Sequence, residues 1–305
     1  MTKQIIVITG GNVGIGYECA KNLISSQTNN VHIVLGCRDS TRAALGVKDL
    51  TALAAGDNTI ESKPLDLASF KSTRAFAEDI KASFPNGIHT LVLNAGVMAT
   101  SLRLTEDKRE TNMQVNHLSQ FLLTQLLLPS LTAGHASRPE EPSTVVFVSS
   151  SLHIPGVGKG KGPILTMETV DGAQDFDGMV AYRNSKLAQA IAMHVLAASV
   201  DSKVITVNAV CPGFIPTTDL KRESGFATRL LMNNVLAKAS FATSVQEGGL
   251  RVYNTCTGEN RLKNDVYHMN GEVSESSEES RDPAKQKLWW NWSCEVVGLE
   301  SLSQK

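Results

Sequence analysis

The sequence predicts a doubly wound α/β fold: one parallel sheet with helices on both faces. Three observations carry that expectation. Short apolar, β-branched runs recur along the first two-thirds of the chain, and segments of helical period separate them. The runs are apolar on both faces rather than alternating, the pattern of strands covered by helices on either side.

In chain order, residues 4–9 (QIIVIT) read as the first strand and 15–26 as the first helix. Residues 31–36 (VHIVLG) read as the next strand, and 69–84 as a helix. The run 90–94 (TLVLN) precedes a helical segment over 111–128. The runs 144–149 (TVVFVS) and 204–210 (VITVNAV) flank a helix over 181–199. Right-handed crossovers through these helices give a Rossmann-like layout. Two segments break the rhythm and are expected to flank a substrate pocket: 152–178, rich in glycine, and 214–240. Residues 272–280 (EVSESSEES) read as a solvated loop. Residues 284–299 read as a C-terminal helix, with Leu288, Trp292 and Leu299 on a stripe that faces the core. A lid over an apolar substrate, or a membrane-surface contact, is the alternative use of that stripe.

The segment ITGGNVGIG (8–16) lies where the first strand meets the first helix, with glycines at 10, 14 and 16. Glycine permits the tight turn and lets backbone approach a pyrophosphate, which sits on the free N–H groups of the helix start. Gly10, Gly14, Ile15 and Gly16 are the expected cradle. A carboxylate about 20 residues past the glycines would bind a ribose 2′-hydroxyl, whereas an arginine suits a 2′-phosphate. VLGCRD places Cys37 and Arg38 there, so NADP(H) is favoured over NAD(H). Asp39 takes the hydroxyl role instead if the strand ends later.

Composition is that of an ordinary globular protein: 305 residues, 42% hydrophobic and 19% charged. The sequence reads as one dinucleotide-binding domain over 1–305. A formal charge of −1 predicts no broad grip on nucleic acid. The five cysteines (19, 37, 211, 256, 294) match no disulfide or zinc spacing, which predicts a reducing, cytoplasmic setting. His117, His153 and His194 are scattered, so no metal site is expected. No run approaches the roughly 18 apolar residues of a membrane span. Neither a signal peptide nor an N-terminal anchor is expected, because the first apolar run starts at Ile5.

Tyr182 and Lys186 are spaced i,i+4, one face of one helix. The glycine spacing, LNAGV (93–97), VSSS (148–151) and Tyr182-x-x-x-Lys186 fall in an order that resembles the short-chain dehydrogenase/reductase family over about residues 4–217. The resemblance implies a catalytic tetrad of Asn116, Ser150, Tyr182 and Lys186, with Ser149 and Ser151 as rivals of Ser150. It implies that Asp66 and Asn94, with Leu67 and Gly96 beside them, meet the adenine and ribose. It also implies that Pro212, Gly213, Ile215 and Thr217 hold the nicotinamide end. GCRD, DFDGMVAYRNSK, PGFIPTTDL and the closing KLWWNWSCEVVGL are similar to the protochlorophyllide reductase and retinol dehydrogenase group. The light-driven members carry a cysteine two residues after the lysine, and here that residue is Ala188. The resemblance therefore implies a relative acting on a bulky, mostly apolar carbonyl or alcohol, such as a secondary metabolite, as a monomer or homo-oligomer.

Hydride transfer to a ketone makes an alkoxide that must be protonated, and a phenol with its reference pKa near 10 needs tuning for that work. The Lys186 ammonium lowers it by favouring phenolate, as does a positively charged nicotinamide. Lys186 can also bond the nicotinamide ribose, so Tyr182 and Lys186 are expected cofactor contacts too. Ser150 steadies the substrate oxygen, and Asn116 holds a water that links Lys186 to solvent. Reduction of an activated carbon–carbon double bond, or a dinucleotide-sensing module without turnover, are the alternatives. Thirty-two residues separate Ser150 from Tyr182, and the extra loop is expected to wall the pocket. Met167, Met179, Phe214, Phe226, Leu230 and Leu231 are candidate apolar linings.

Overall fold

In the computed structural model, which describes residues 3–26, 30–171, 176–216 and 242–300, the chain opens with β1 (Gln4–Thr9) and α1 (Gly14–Ser25). β2 (Val31–Cys37), α2 (Ser40–Thr51), β3 (Thr59–Pro64) and α3 (Phe70–Ser83) follow. After β4 (Thr90–Leu93), a short helix α4 (Thr111–Met113) runs through a π-helical turn (Gln114–Leu118) into α5 (Ser119–Ser137). Then come β5 (Ser143–Val148), α6 (Gly178–Ser199), β6 (Ile205–Cys211), α7 (Val245–Cys256), β7 (Val266–Met269) and β8 (Glu272–Ser274). Helices α8 (Glu278–Arg281) and α9 (Pro283–Val297) end the described chain.

The described strands form one sheet of eight in the order β3-β2-β1-β4-β5-β6-β7-β8. All neighbours are parallel except β7 and β8. Strand order reverses between β1 and β4, which leaves a crevice beyond their carboxyl ends. Alternation along β1 shows why both faces are apolar. Ile6 and Ile8 pack with α1, α2 and α7, whereas Val7 packs with α3, α5, α6 and α9.

The five strands and five helices read from the sequence are present. β3, β7, β8, α2, α7 and α8 are additional. β3 (TIESKP) is half-polar and lies at the sheet edge, and β7 is four residues long, so neither gives an apolar run. Residues 272–280 are not a solvated loop: they contain β8 and the start of α8, with Ser276, Ser277 and Ser280 buried. Ser277 caps α8, and Ser280 Oγ donates to Ser276 Oγ at 2.9 Å. Polar composition hid these bonds. Of the stripe assigned to the C-terminal helix, Trp292 and Leu299 pack against the core, but Leu288 is 48% exposed, and the fully buried face is Trp289, Trp290, Ser293, Cys294 and Val297. Trp290 meets Phe121 edge-on with centroids 4.9 Å apart, and His117 Nε2 pairs with Ser293 Oγ at 2.7 Å. The helix therefore buttresses the turn that carries Asn116.

Candidate active site

Gly10 and Gly14 adopt φ of +67° and +63°, the left-handed region that glycine enters without a Cβ penalty. A Cβ on Gly16 would lie 2.5 Å from Asn94 Nδ2 and 2.8 Å from the Gly10 carbonyl oxygen, so only glycine lets α1 approach β4 here. Asn94 Nδ2 donates to the carbonyl oxygens of Thr9 (2.9 Å) and Gly10 (3.1 Å), clamping the loop from the β4 side. Val13 precedes α1 without a side-chain cap, and the first turn carries no acid. The helix start thus presents free N–H groups and a positive dipole end. This cradle fits the diphosphate of a dinucleotide.

A cavity of about 550 Å³ runs from this loop to Tyr182 and Lys186. Of the cofactor contacts expected from the sequence, Gly10, Gly14, Ile15, Arg38, Asp66, Leu67, Asn94, Gly96, Tyr182, Lys186, Pro212, Gly213 and Ile215 line it. Gly16 does not; it packs behind the loop. Thr217 lies outside the described residues, as do Phe226, Leu230 and Leu231 and most of 214–240. Arg42 also lines the cavity, one turn beyond Arg38. The second arginine of CRDSTR was its only signal in the sequence. Asp39 caps α2, its Oδ1 accepting from the Arg42 amide at 2.9 Å. The buried Ser149 hydroxyl lines the cavity and has no partner among the described residues, as expected of a group that meets a polar ligand.

Tyr182, Ser150 and Lys186 converge at one end of the cavity. Tyr182 and Lys186 project from α6, with Lys186 Nζ 5.9 Å from the phenol ring centroid. Ser150, at the end of β5, lies beside the Tyr182 phenol, and its Oγ accepts from the Leu152 amide at 3.2 Å. Burial pushes the phenol up to about 12, with the neighbouring Ser150 hydroxyl acting in the opposite direction. The expected lowering of the Tyr182 pKa is therefore not built into the chain by itself. Burial pushes Lys186 down to about 8.

Asn116 is brought near but does not line the cavity. It sits in the π-helical turn rather than in a regular helix, and its side chain is fully engaged. Oδ1 accepts from the Val97 amide at 2.8 Å, while Nδ2 donates to the Val97 carbonyl and to Ser185 Oγ, both at 2.9 Å. A side chain bridges Asn116 and Lys186, where a linking water is expected from the sequence. Gln189 Oε1 accepts from Lys186 Nζ at 3.2 Å, and Gln189 Nε2 donates to the Asn116 carbonyl oxygen at 3.2 Å. Gln189 lies one turn past Lys186, which was the sequence signal that was missed.

None of the residues lining the cavity comes from 152–171. That loop is fastened to α6 instead, through Arg183 and Asn184. Met167, Met179 and Phe214, expected as apolar linings, do not line the cavity either: Met167 and Phe214 are exposed and Met179 is half-buried.

Residues 4–157 and 143–227 match the short chain dehydrogenase family model. The chain belongs to the short-chain dehydrogenase/reductase family. It is 31% identical to polyprenol dehydrogenase of Danio rerio over 97% of this chain and 87% of that one. It is 30% identical to human retinol dehydrogenase 11, covering 97% and 86% of the two chains. Protochlorophyllide reductase A of Oryza sativa subsp. japonica is 31% identical over 98% and 82%. Among solved structures, an uncharacterised protein from Mycobacterium paratuberculosis superposes with a TM-score of 0.74 at 23% identity, covering 99% of this chain and 96% of that one. This reductase/dehydrogenase is thus an oxidoreductase with the dinucleotide cleft of its family. Among the described residues no helix is long and apolar enough to cross a membrane.

Proposed function

We propose that this enzyme interconverts a carbonyl and an alcohol on a lipophilic small molecule with NADP(H), using Tyr182, Ser150, Lys186 and Asn116. The observation that carries the proposal is the convergence of Tyr182, Ser150 and Lys186 on the same cavity as the glycine loop. When bound, the nicotinamide supplies or accepts the hydride. Tyr182 gives a proton to the nascent alkoxide, and its burial keeps that proton in place at neutral pH, which suits the reductive direction. Ser150 bonds the substrate oxygen and fixes the phenol, and Lys186 offers a positive charge beside both. Asn116 staples the loop after β4 to the helix pair behind the site.

Arg38 and Arg42, with Asp39 committed to capping α2, support a 2′-phosphate and hence NADP(H). Support for an apolar substrate comes from the apolar side chains that line the cavity together with Tyr182, among them Val97, Val115, Val148 and Ile215. The polyprenol and retinol named for two relatives agree with that. The five free, buried cysteines support a reducing, cytoplasmic setting. Incubating the protein with NADPH and a panel of lipophilic ketones and enones, with loss of nicotinamide absorbance as readout, tests the reading. Alcohol products are expected. Saturated ketones from the enones would instead favour reduction of a carbon–carbon double bond, the chemistry suggested by the name of the rice relative.

A further inference from the structure

Lys186 is only 4% exposed, yet among the described residues no carboxylate is bonded to it. Its protein partners are two neutral acceptors, the Val148 carbonyl oxygen at 2.8 Å and Gln189 Oε1 at 3.2 Å. An ammonium has three donors, so one N–H remains for the cleft that Lys186 lines. Gln189 is buried as deeply, and its amide is oriented by its other end. The Asn116 carbonyl oxygen can only accept, so the Gln189 nitrogen faces Asn116 and its oxygen faces the lysine.

We propose that Gln189 is a positioning residue for the reaction: it holds Lys186 as an ammonium aimed into the cleft and closes the far side of that lysine with a group that does not relay protons. The inference rests on the functional reading above. A water or hydroxyl accepts a proton on one side and releases one on the other. A carboxamide would have to pass through an unstable tautomer to do the same, so proton exchange at Lys186 runs through the cleft.

The titratable groups facing Lys186 are Tyr182 on the same helix, Cys211 at the end of β6 and His153 in the turn after β5. Burial holds His153 neutral, down to about 4. None of these groups is a carboxylate. The balance between desolvation, which discharges a buried lysine, and its hydrogen-bond acceptors therefore decides the charge.

The test is a pair of variants with opposite signs. The ammonium is the active form, so activity falls on the alkaline side as Lys186 deprotonates. Gln189→Leu removes an acceptor, and the alkaline limb of kcat/KM moves to lower pH by about one unit. Gln189→Glu, nearly isosteric, places a carboxylate beside the ammonium, and the limb moves to higher pH by about one unit or more. The dissociation constant of NADPH, followed across pH by nicotinamide fluorescence, is a readout without turnover and shifts in the same two directions. Thermal melts of both variants establish that they fold; should the leucine variant unfold, the glutamate variant alone decides the sign. Limbs that stay at the wild-type pH, or that move in the same direction in both variants, overturn the proposal. A wild-type protein that neither binds NADPH nor turns over any substrate overturns the functional reading itself, an outcome distinct from a wild-type enzyme whose pH limb ignores residue 189.

Discussion

Arg183, the residue after Tyr182, donates through Nη1 to the backbone carbonyl oxygen of Val157 at 2.8 Å. The same guanidinium reaches the carbonyl oxygens of Leu152 (3.3 Å) and Lys159 (3.1 Å) and is only 1% exposed. Next to it, the Asn184 side chain accepts from the Ile164 amide (2.7 Å) and donates to the Ile164 carbonyl (2.9 Å). The loop that follows Ser150 is thus fixed to the helix that carries Tyr182. Ser150 and the phenol keep their mutual distance because the segments bearing them are bolted together.

Arg183→Leu leaves three carbonyl oxygens without that partner, a local loss of roughly 1–3 kcal/mol. Trypsin then cuts after the exposed Lys159 and Lys161 at least ~10-fold faster than in the wild type, since cleavage tracks local opening. The KM for the carbonyl substrate rises while NADPH affinity holds. Unchanged cleavage would show that the loop is held by other contacts.

Arg38 and Asp39 are neighbours with different work. Arg38→Ala should lower the preference for NADPH over NADH by about 10- to 100-fold, the worth of one charge-assisted contact. Asp39→Ala should leave that preference alone and cost about 1 kcal/mol of stability, because its carboxylate caps α2. Ratios of kcat/KM for the two dinucleotides, with denaturant unfolding of each variant, separate the roles. A switch in preference caused by Asp39→Ala would contradict the assignment.

The C-terminal helix gives a contrast between two adjacent faces. Trp290→Ala removes a buried ring that packs edge-on against Phe121, at a cost of about 3–5 kcal/mol. Leu288→Ala, on the exposed face, stays within ~0.5 kcal/mol of wild type. Urea midpoints measure both. Equal losses would mean that the helix docks by a different face.

The parts of the fold that sequence reveals are those whose cause is local. Uniformly apolar strands such as IIVI and TVVFV, and a glycine loop between a strand and a helix, carry their reason within a few residues. β3 and β7 were hidden because their partners, not their own hydrophobicity, make them strands. Ser276, Ser277 and Ser280 look like a solvated loop until their mutual hydrogen bonds are visible. The C-terminal stripe was right for Trp292 and Leu299 and wrong for Leu288, because a helix carrying tryptophans at 289, 290 and 292 is apolar on more than one side, and Phe121 and His117 decide which side is covered most deeply. At the site, the residue types and their order were legible. The direction of the Tyr182 shift was not, because desolvation outweighs the neighbouring Ser150 hydroxyl that opposes it. Gln189 was overlooked because its role depends on a carbonyl 73 residues away.

The central claim is that the Tyr182 phenol delivers the proton that completes carbonyl reduction. Tyr182→Phe tests it most directly, because it deletes one oxygen and keeps the ring. With the best ketone from the panel and NADPH, kcat/KM should fall by about 10²- to 10⁴-fold, while the NADPH dissociation constant and the melting temperature stay at wild-type values. Turnover by Tyr182→Phe at close to the wild-type rate would contradict the account.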